Sequence, residues 1–118
     1  TITHRALGAA RLLAGEGIRA RVISMHTVKP IDREAILAAA AETGAIVTVE
    51  EHNRCGGLGS AVAEVLADEG VGVPLRRLAL PDTYVHEVGS HEWLLERYGF
   101  SPAAIASAAR DVLGRRMR

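Results

Sequence analysis

The residues of this chain that could do chemistry are concentrated in the segment VTVEEHNRCGGLGSAVAEVL, residues 47–66. There a β-branched run leads into two carboxylates and a histidine, and then into one cysteine and three glycines that precede an amphipathic pattern. Glycines ahead of a helix let a ligand approach the free backbone N–H groups of the first turn, where the helix dipole attracts anions. The segment therefore predicts a candidate anion or regulatory site formed by Glu50, Glu51, His52, Gly56, Gly57, Gly59 and Ser60.

A structural account of the same junction is the stronger one. The spacing GGLG lacks the third glycine of the dinucleotide fingerprint, and no Lys-Ser or Lys-Thr follows it as in a phosphate loop. Glycines are also what a tight turn from strand to helix requires. In addition, Glu50 or Glu51 can itself accept the N–H groups at the helix start, which leaves no room for an outside anion.

No other set of residues makes a catalytic or metal-binding constellation. Glu51 and His52 are neighbours on an extended chain, so their side chains point to opposite faces. Cys55 lies near a helix start, where a thiol becomes more reactive, but the spacing places no general base beside it. The five histidines show no ligand spacing such as H-x-x-x-H. We therefore predict no catalytic residue, no cofactor ligand and no metal site in this chain.

Hydrophobic periodicity predicts the elements that position this junction. Strands are expected at residues 20–25, 45–50 and 75–80, with the second the most β-branched of the three. Helices are expected from about Thr3 to Ala14, from Asp32 as N-cap to about Thr43, over the 58–66 pattern, near 92–98 and after Ser101-Pro102. The first helix is predicted from Ala6, Leu7, Ala10 and Leu13, which recur at helical spacing.

This alternation of strands and helices predicts an α/β fold with three layers, in which helices cover both faces of a mostly parallel, mixed sheet. The pattern also predicts a first strand upstream of Thr1, which is missing from residues 1–118. We expect these residues to form one domain, as a fragment of a longer chain or as part of a subunit.

The composition excludes several classes of protein. Lys plus Arg and Asp plus Glu are both 14, and aromatic residues make up 3%, so neither charge nor stacking favours nucleic acid as a partner. No apolar run is long enough to predict a membrane-spanning helix. The single cysteine excludes a disulfide framework, which makes the cytoplasm the expected location.

All four aromatic residues fall between positions 84 and 100. Aromatic side chains are enriched where two proteins meet, so this segment is a candidate interface. The alternative is that these side chains pack an irregular segment onto the sheet, and the sequence leaves both open. The candidate interface residues are Tyr84, Trp93, Tyr98 and Phe100.

Four stretches in unbroken order resemble the C-terminal domain of transketolase-like enzymes. They cover almost the whole chain and are MHTVKPID (25–32), ETGAIVTVEEHNRCGGLGSAVAE (42–64), LPDTYVHEVGS (80–90) and LLERYGFSPAAI (94–105). The resemblance implies an α/β domain that opens with a strand before the first helix. It also implies an enzyme that uses thiamine diphosphate and a divalent metal, Mg²⁺ or Ca²⁺, to move a two-carbon ketol unit between sugar phosphates.

In that family the cofactor and metal bind other domains, so none is expected on this one. The resemblance implies a role in assembly, with the remaining domains or subunit of the same enzyme as partners and a homodimer of the whole. The junction residues match a family motif that is not known as catalytic, and the fragment alone is not expected to be active. Transketolase proper, especially its split form, is the leading subfamily. 1-Deoxyxylulose-5-phosphate synthase and the β subunit of 2-oxoacid dehydrogenases are alternatives.

Two functions of other classes also fit the sequence. The chain could be a stand-alone anion-binding regulatory module that uses the helix start at residues 56–60. It could instead be an interaction module that docks a partner through residues 84–100.

Overall fold

The computed structural model of this 118-residue chain describes residues 2–25, 31–53, 57–80, 96 and 99–116. The elements in chain order are α1 (Ile2–Ala14), α2 (Arg33–Thr43), β1 (Ile46–Asn53), α3 (Leu58–Asp68), β2 (Leu75–Leu80) and α4 (Pro102–Arg116). Among the described helices, none is both long and apolar enough to cross a membrane.

The two strands lie side by side and run parallel, with Ile46 opposite Leu75 and Val49 opposite Leu78. The connection through α3 is the strand–helix–strand unit that parallel strands require. Predicted strands 45–50 and 75–80 are thereby confirmed.

Two hydrophobic clusters lie on the two faces of this sheet. On one face, buried residues of α2 and α3 pack with Ile46 and Leu75. On the other face, buried residues of α1 and α4 pack with Val49 and Leu78. Because successive side chains of a strand point to opposite faces, a strand that is apolar on both faces needs helices on both sides. The predicted α/β fold with helices on both faces is confirmed.

Local signals set the ends of the helices as expected. The side chain of Asp32 caps α2, since its Oδ1 accepts a hydrogen bond from Ala35 N at 3.0 Å. Gly44 ends the same helix in the left-handed conformation, with φ at 77°. Ser101 caps α4 by accepting a hydrogen bond from Ala104 N at 3.1 Å.

The buried side of α1 is not simply its apolar residues. Leu13 is buried, but Leu7 is 42% exposed, and the other buried positions of the helix are Arg5 and Ala9. These three positions recur every four residues, and Ala9 and Leu13 pack with Ile105 of α4. Periodicity gives the spacing of apolar residues along a helix, while the position of α4 decides which side of α1 is buried.

The strand predicted at residues 20–25 was also wrong, because residues 18–25 have no regular secondary structure. A strand forms only beside a neighbour that completes its backbone hydrogen bonds. The described part of the sheet contains β1 and β2, and the segment pairs with neither. Its side chains are only partly covered, and Ile23 is 45% exposed.

A bidentate ion pair joins the end of α1 to α4. Nε and Nη2 of Arg110 donate to the two carboxylate oxygens of Glu16, each at 2.8 Å. These hydrogen bonds, with a smaller contribution from the charge, hold the pKa of Glu16 below its ordinary value. Since the folded-state pKa is the lower one, the contribution of this pair is present above the unfolded pKa of Glu16. It is lost as the pH falls through the folded pKa.

We expect Arg110→Gln to return the pKa of Glu16 to the ordinary range of a glutamate, as measured by carboxyl ¹³C NMR during an acid titration. Glu42 provides the internal control, because a hydrogen bond from Arg21 lowers its pKa in the same direction at a separate place. The pKa of Glu42 should stay low in the variant. A Glu16 pKa that does not move would contradict the assignment.

Candidate functional site

The side chain of Glu50 connects β1 to the start of α3. Its side chain is buried, with 6% of the residue exposed. One carboxylate oxygen accepts a hydrogen bond from Leu58 N at 2.9 Å, and the other accepts one from Gly59 N at 2.6 Å. The N-cap residue itself, Gly57, is extended and has no side chain to cap with. A carboxylate eight residues before the helix therefore binds its free N–H groups and complements its dipole.

Gly59 packs closely against β1 and β2. A Cβ at this position would lie 2.8 Å from Cδ of Arg77 and 3.0 Å from Oγ1 of Thr48. A larger residue would therefore force the exposed side chain of Arg77 to move and would crowd the Thr48 hydroxyl. The last glycine of GGLG thus has a packing role.

Thr48 carries a buried hydroxyl at the same junction. The residue is 5% exposed, and no hydrogen-bond partner for Oγ1 is found within the described ranges. Thr48 and Glu50 are two positions apart on β1 and point to the same face, toward α3. A buried polar group without a partner costs about 1–3 kcal/mol, so this hydroxyl is a weak point of the junction.

We expect Thr48→Val to raise the free energy of unfolding by about 1 kcal/mol, because the substitution removes the unpaired hydroxyl and keeps the shape of the side chain. Urea denaturation followed by circular dichroism measures the change. Thr43→Val is the matched control, because Oγ1 of Thr43 donates to Ala39 O at 2.6 Å and lies 3.0 Å from Ala45 O. The control should lose stability, and a loss of the same size in both variants would contradict the prediction.

The structure places only part of the predicted anion site together. Glu50, Gly57, Gly59 and Ser60 meet at the start of α3, whereas Gly56 and the side chains of Glu51 and His52 lie outside the described residues. The N–H groups of Leu58 and Gly59 that would bind an anion already bind Glu50. An incoming anion would have to displace this carboxylate. The geometry favours the structural account, and the anion site stays a prediction.

Of the four predicted interface residues, the structure describes Phe100. Phe100 is buried, with 1% exposed, and its carbonyl oxygen accepts a hydrogen bond from Nη1 of Arg5 at 3.3 Å. For this residue the packing account applies. Tyr84, Trp93 and Tyr98 lie outside the described residues, so an interface there stays a prediction.

Sequence reasoning missed Arg5 as a structural residue. It lies on the buried line of α1, and its Nη1 also donates to Oε1 of Glu96 at 2.9 Å. The guanidinium thereby links the first helix to Glu96 and to Phe100, which precede α4. Its position four residues before Ala9 was the available signal, but a charged residue at that spacing is read as solvent-exposed.

Chemistry beyond these contacts is limited. Within residues 2–25, 31–53, 57–80, 96 and 99–116, there is no group of three or more His, Cys, Asp or Glu that could hold a metal ion. Cys55 lies outside these ranges. What the described junction does is cap a helix and pack it on a sheet.

Comparison with known proteins places this architecture in a family. The family described as "Transketolase, C-terminal domain" matches residues 1–105. A solved structure described as "Split gene transketolase, inactive beta4 tetramer" superposes with a TM-score of 0.87 at 43% identity, and the match covers 96% of this chain and 36% of that one.

Curated relatives of two kinds are similar to the chain. A 1-deoxy-D-xylulose-5-phosphate synthase from Syntrophotalea carbinolica is 43% identical over 112 residues, which are 95% of this chain and 18% of the relative. The 6-deoxy-6-sulfo-D-fructose transketolase subunit SqwH from a Clostridium species is 49% identical over 111 residues, 94% of this chain and 34% of that subunit. The chain thus spans about a third or less of the length of these relatives, and it belongs to the transketolase C-terminal domain family.

Proposed function

We propose that this chain is the C-terminal structural and assembly domain of a thiamine-diphosphate-dependent transketolase, which transfers two-carbon ketol units between sugar phosphates. The observation that carries the proposal is the family match over residues 1–105, together with the high similarity of fold to a split-gene transketolase. In this proposal residues 1–118 act as one domain of a longer chain or of a subunit, and the whole enzyme is a cytoplasmic homodimer.

The junction geometry supports a domain without chemistry of its own. Glu50 uses its carboxylate to satisfy the two N–H groups that would otherwise attract a phosphate. We assign thiamine diphosphate and the divalent metal to the other domains or to a companion subunit. A relative described as an inactive tetramer of one subunit type supports the expectation that this domain is not sufficient for turnover.

The proposal is tested by comparing ketol transfer by two samples supplied with thiamine diphosphate and Mg²⁺. One sample is the complete enzyme, with every polypeptide that assembles with this domain, and the other is the 118-residue chain alone. We expect turnover from the complete enzyme and none from the chain. Ketol transfer by the chain alone would overturn the proposal.

The relatives favour one alternative within the family, a 1-deoxy-D-xylulose-5-phosphate synthase. Product analysis on the complete enzyme separates the two. Formation of 1-deoxy-D-xylulose 5-phosphate would replace the transketolase assignment, while ketol transfer between sugar phosphates would support it.

A further inference from the structure

Two successive arginines flank the outer edge of β2, which is the edge away from β1. The described part of the sheet consists of β1 and β2, and within it this edge has no strand partner. Arg76 and Arg77 are neighbours on β2, and both are exposed. Because successive side chains of a strand point to opposite faces, the two guanidinium groups lie on opposite faces of the sheet.

The backbone of β2 offers hydrogen-bonding groups along this outer edge. Ile46 N donates to Pro74 O at 3.0 Å, and this bond shows which groups of β2 face β1. Because the groups of successive strand residues point to alternate edges, the N–H and C=O of Arg76 also face β1. Those of Leu75 and Arg77 point to the outer edge. They form a template on which one more extended chain can pair.

Arg77 lies on the α3 side of the sheet, with its aliphatic stem against the start of that helix. A Cβ at Gly59 would lie 3.0 Å from Cγ of Arg77 and 2.8 Å from Cδ, so the missing side chain leaves the space that this stem occupies. Within the described ranges, the guanidinium of Arg77 forms no hydrogen bond and no ion pair. An arginine with a packed stem and an unpaired, exposed head can bind a carboxylate with little further loss of side-chain entropy.

Arg76 lies on the α4 side of the sheet, beside a carboxylate that it shares with another arginine. Its Nη1 is 3.5 Å from Oδ2 of Asp111, and the same oxygen accepts a hydrogen bond from Nη2 of Arg115 at 3.0 Å. The side chain of Arg76 is 50% exposed and that of Arg115 is 39% exposed. One carboxylate thus faces two guanidinium groups, which leaves a surplus of positive charge on this side of the edge as well.

We propose that the outer edge of β2 binds an extended acidic segment of a separate partner polypeptide, which adds to the sheet as a further strand. An extended peptide matches the repeating N–H and C=O groups of an edge by its own geometry. Two adjacent acidic residues of such a segment point to opposite faces, so one meets Arg77 while the other meets Arg76. A second copy of β2 does not fit, because it would bring the arginines of the two copies together.

Peptide binding to the full polypeptide that carries this domain tests the charge preference. The probe is a peptide of about eight residues, valine and threonine with two adjacent glutamates at its centre, which is long enough to cover β2. In a calorimeter we expect Arg77→Gln to weaken binding by about fivefold, as for a well-formed exposed ion pair. Arg11→Gln is the matched control, because Arg11 is exposed on α1, which packs on α4 and β1, and it should bind as the parent does. Absence of binding to the parent, or an equal loss in both variants, would overturn the proposal.

Backbone hydrogen exchange of the same polypeptide, read at single residues with and without the peptide, tests strand addition. At a peptide concentration about ten times its Kd, exchange at the amides of Leu75 and Arg77 should slow by roughly tenfold. The amide of Arg76, which faces β1, should not change. Unchanged exchange at Leu75 and Arg77 would mean contact through charge alone, and slow exchange there without peptide would mean that a second copy or another segment covers the edge. Either result would overturn the proposal, and neither depends on enzymatic activity or on the proposed function.

Discussion

Replacing Glu50 by glutamine is expected to lower the free energy of unfolding of this domain by about 3 kcal/mol. The two hydrogen bonds from Leu58 N and Gly59 N each end on a charged oxygen, and such bonds contribute about 1.5–3 kcal/mol. Glutamine can accept only one of them and turns an N–H₂ group toward the other donor. For a domain of this size the melting temperature should fall by about 10 °C.

Glu64→Gln is the matched control, because this substitution makes the same chemical change at an exposed position of α3. We expect that variant to stay within about 0.5 kcal/mol of the parent. Thermal and urea unfolding of both variants measure the difference. If Glu50→Gln were as stable as Glu64→Gln and bound inorganic phosphate in a calorimeter, the junction would be an anion site after all.

Phe100→Ala is expected to lower the free energy of unfolding by about 4 kcal/mol. Phe100 is among the largest fully buried side chains of the described residues, and removal of a buried phenylalanine side chain leaves a cavity that the surroundings fill only in part. Phe100 also lies beside the contacts of Arg5, which bonds to Glu96 and to the carbonyl oxygen of Phe100. Circular dichroism during heating should show a melting temperature lower by 10 °C or more, on the order expected for such a change.

Leu7→Ala provides the control for Phe100→Ala, since it also removes a large apolar side chain but at a position that is 42% exposed. We expect a change below about 1 kcal/mol. Sedimentation of each variant separates folding from assembly. A Phe100→Ala protein that is as stable as the parent but no longer assembles would make this residue part of an interface and would contradict its role in the core.

The effect expected at Glu50 follows from the structural role of the junction between β1 and α3. The buried carboxylate of Glu50 holds α3 against the sheet, so this side chain has a structural role. In the proposed function, the domain contributes structure to an assembly, while the groups that react with substrate lie elsewhere.

Much of the fold could be predicted from local patterns. Asp32 and Gly44 delimit α2, and Ser101 with Pro102 starts α4, because caps and turns depend on a few neighbouring residues. The β-branched run that became β1 could be recognised because it is apolar on both faces, which also indicated helices on both sides. The alternative in which Glu50 caps α3 could be stated from the sequence, but not chosen over Glu51.

The sequence by itself determined the order and type of α1 to α4, β1 and β2, the absence of a metal-ligand spacing, and the resemblance to a known family of domains. Only the tertiary structure decided which oxygen atoms meet the N–H groups of Leu58 and Gly59, and that Arg5 is buried while Leu7 is exposed. It also decided that residues 20–25 are not a strand. The physical reason is the distance along the chain over which each interaction acts. Periodicity and capping act within a few residues, whereas burial, strand pairing and the choice between two adjacent carboxylates depend on elements distant in the chain.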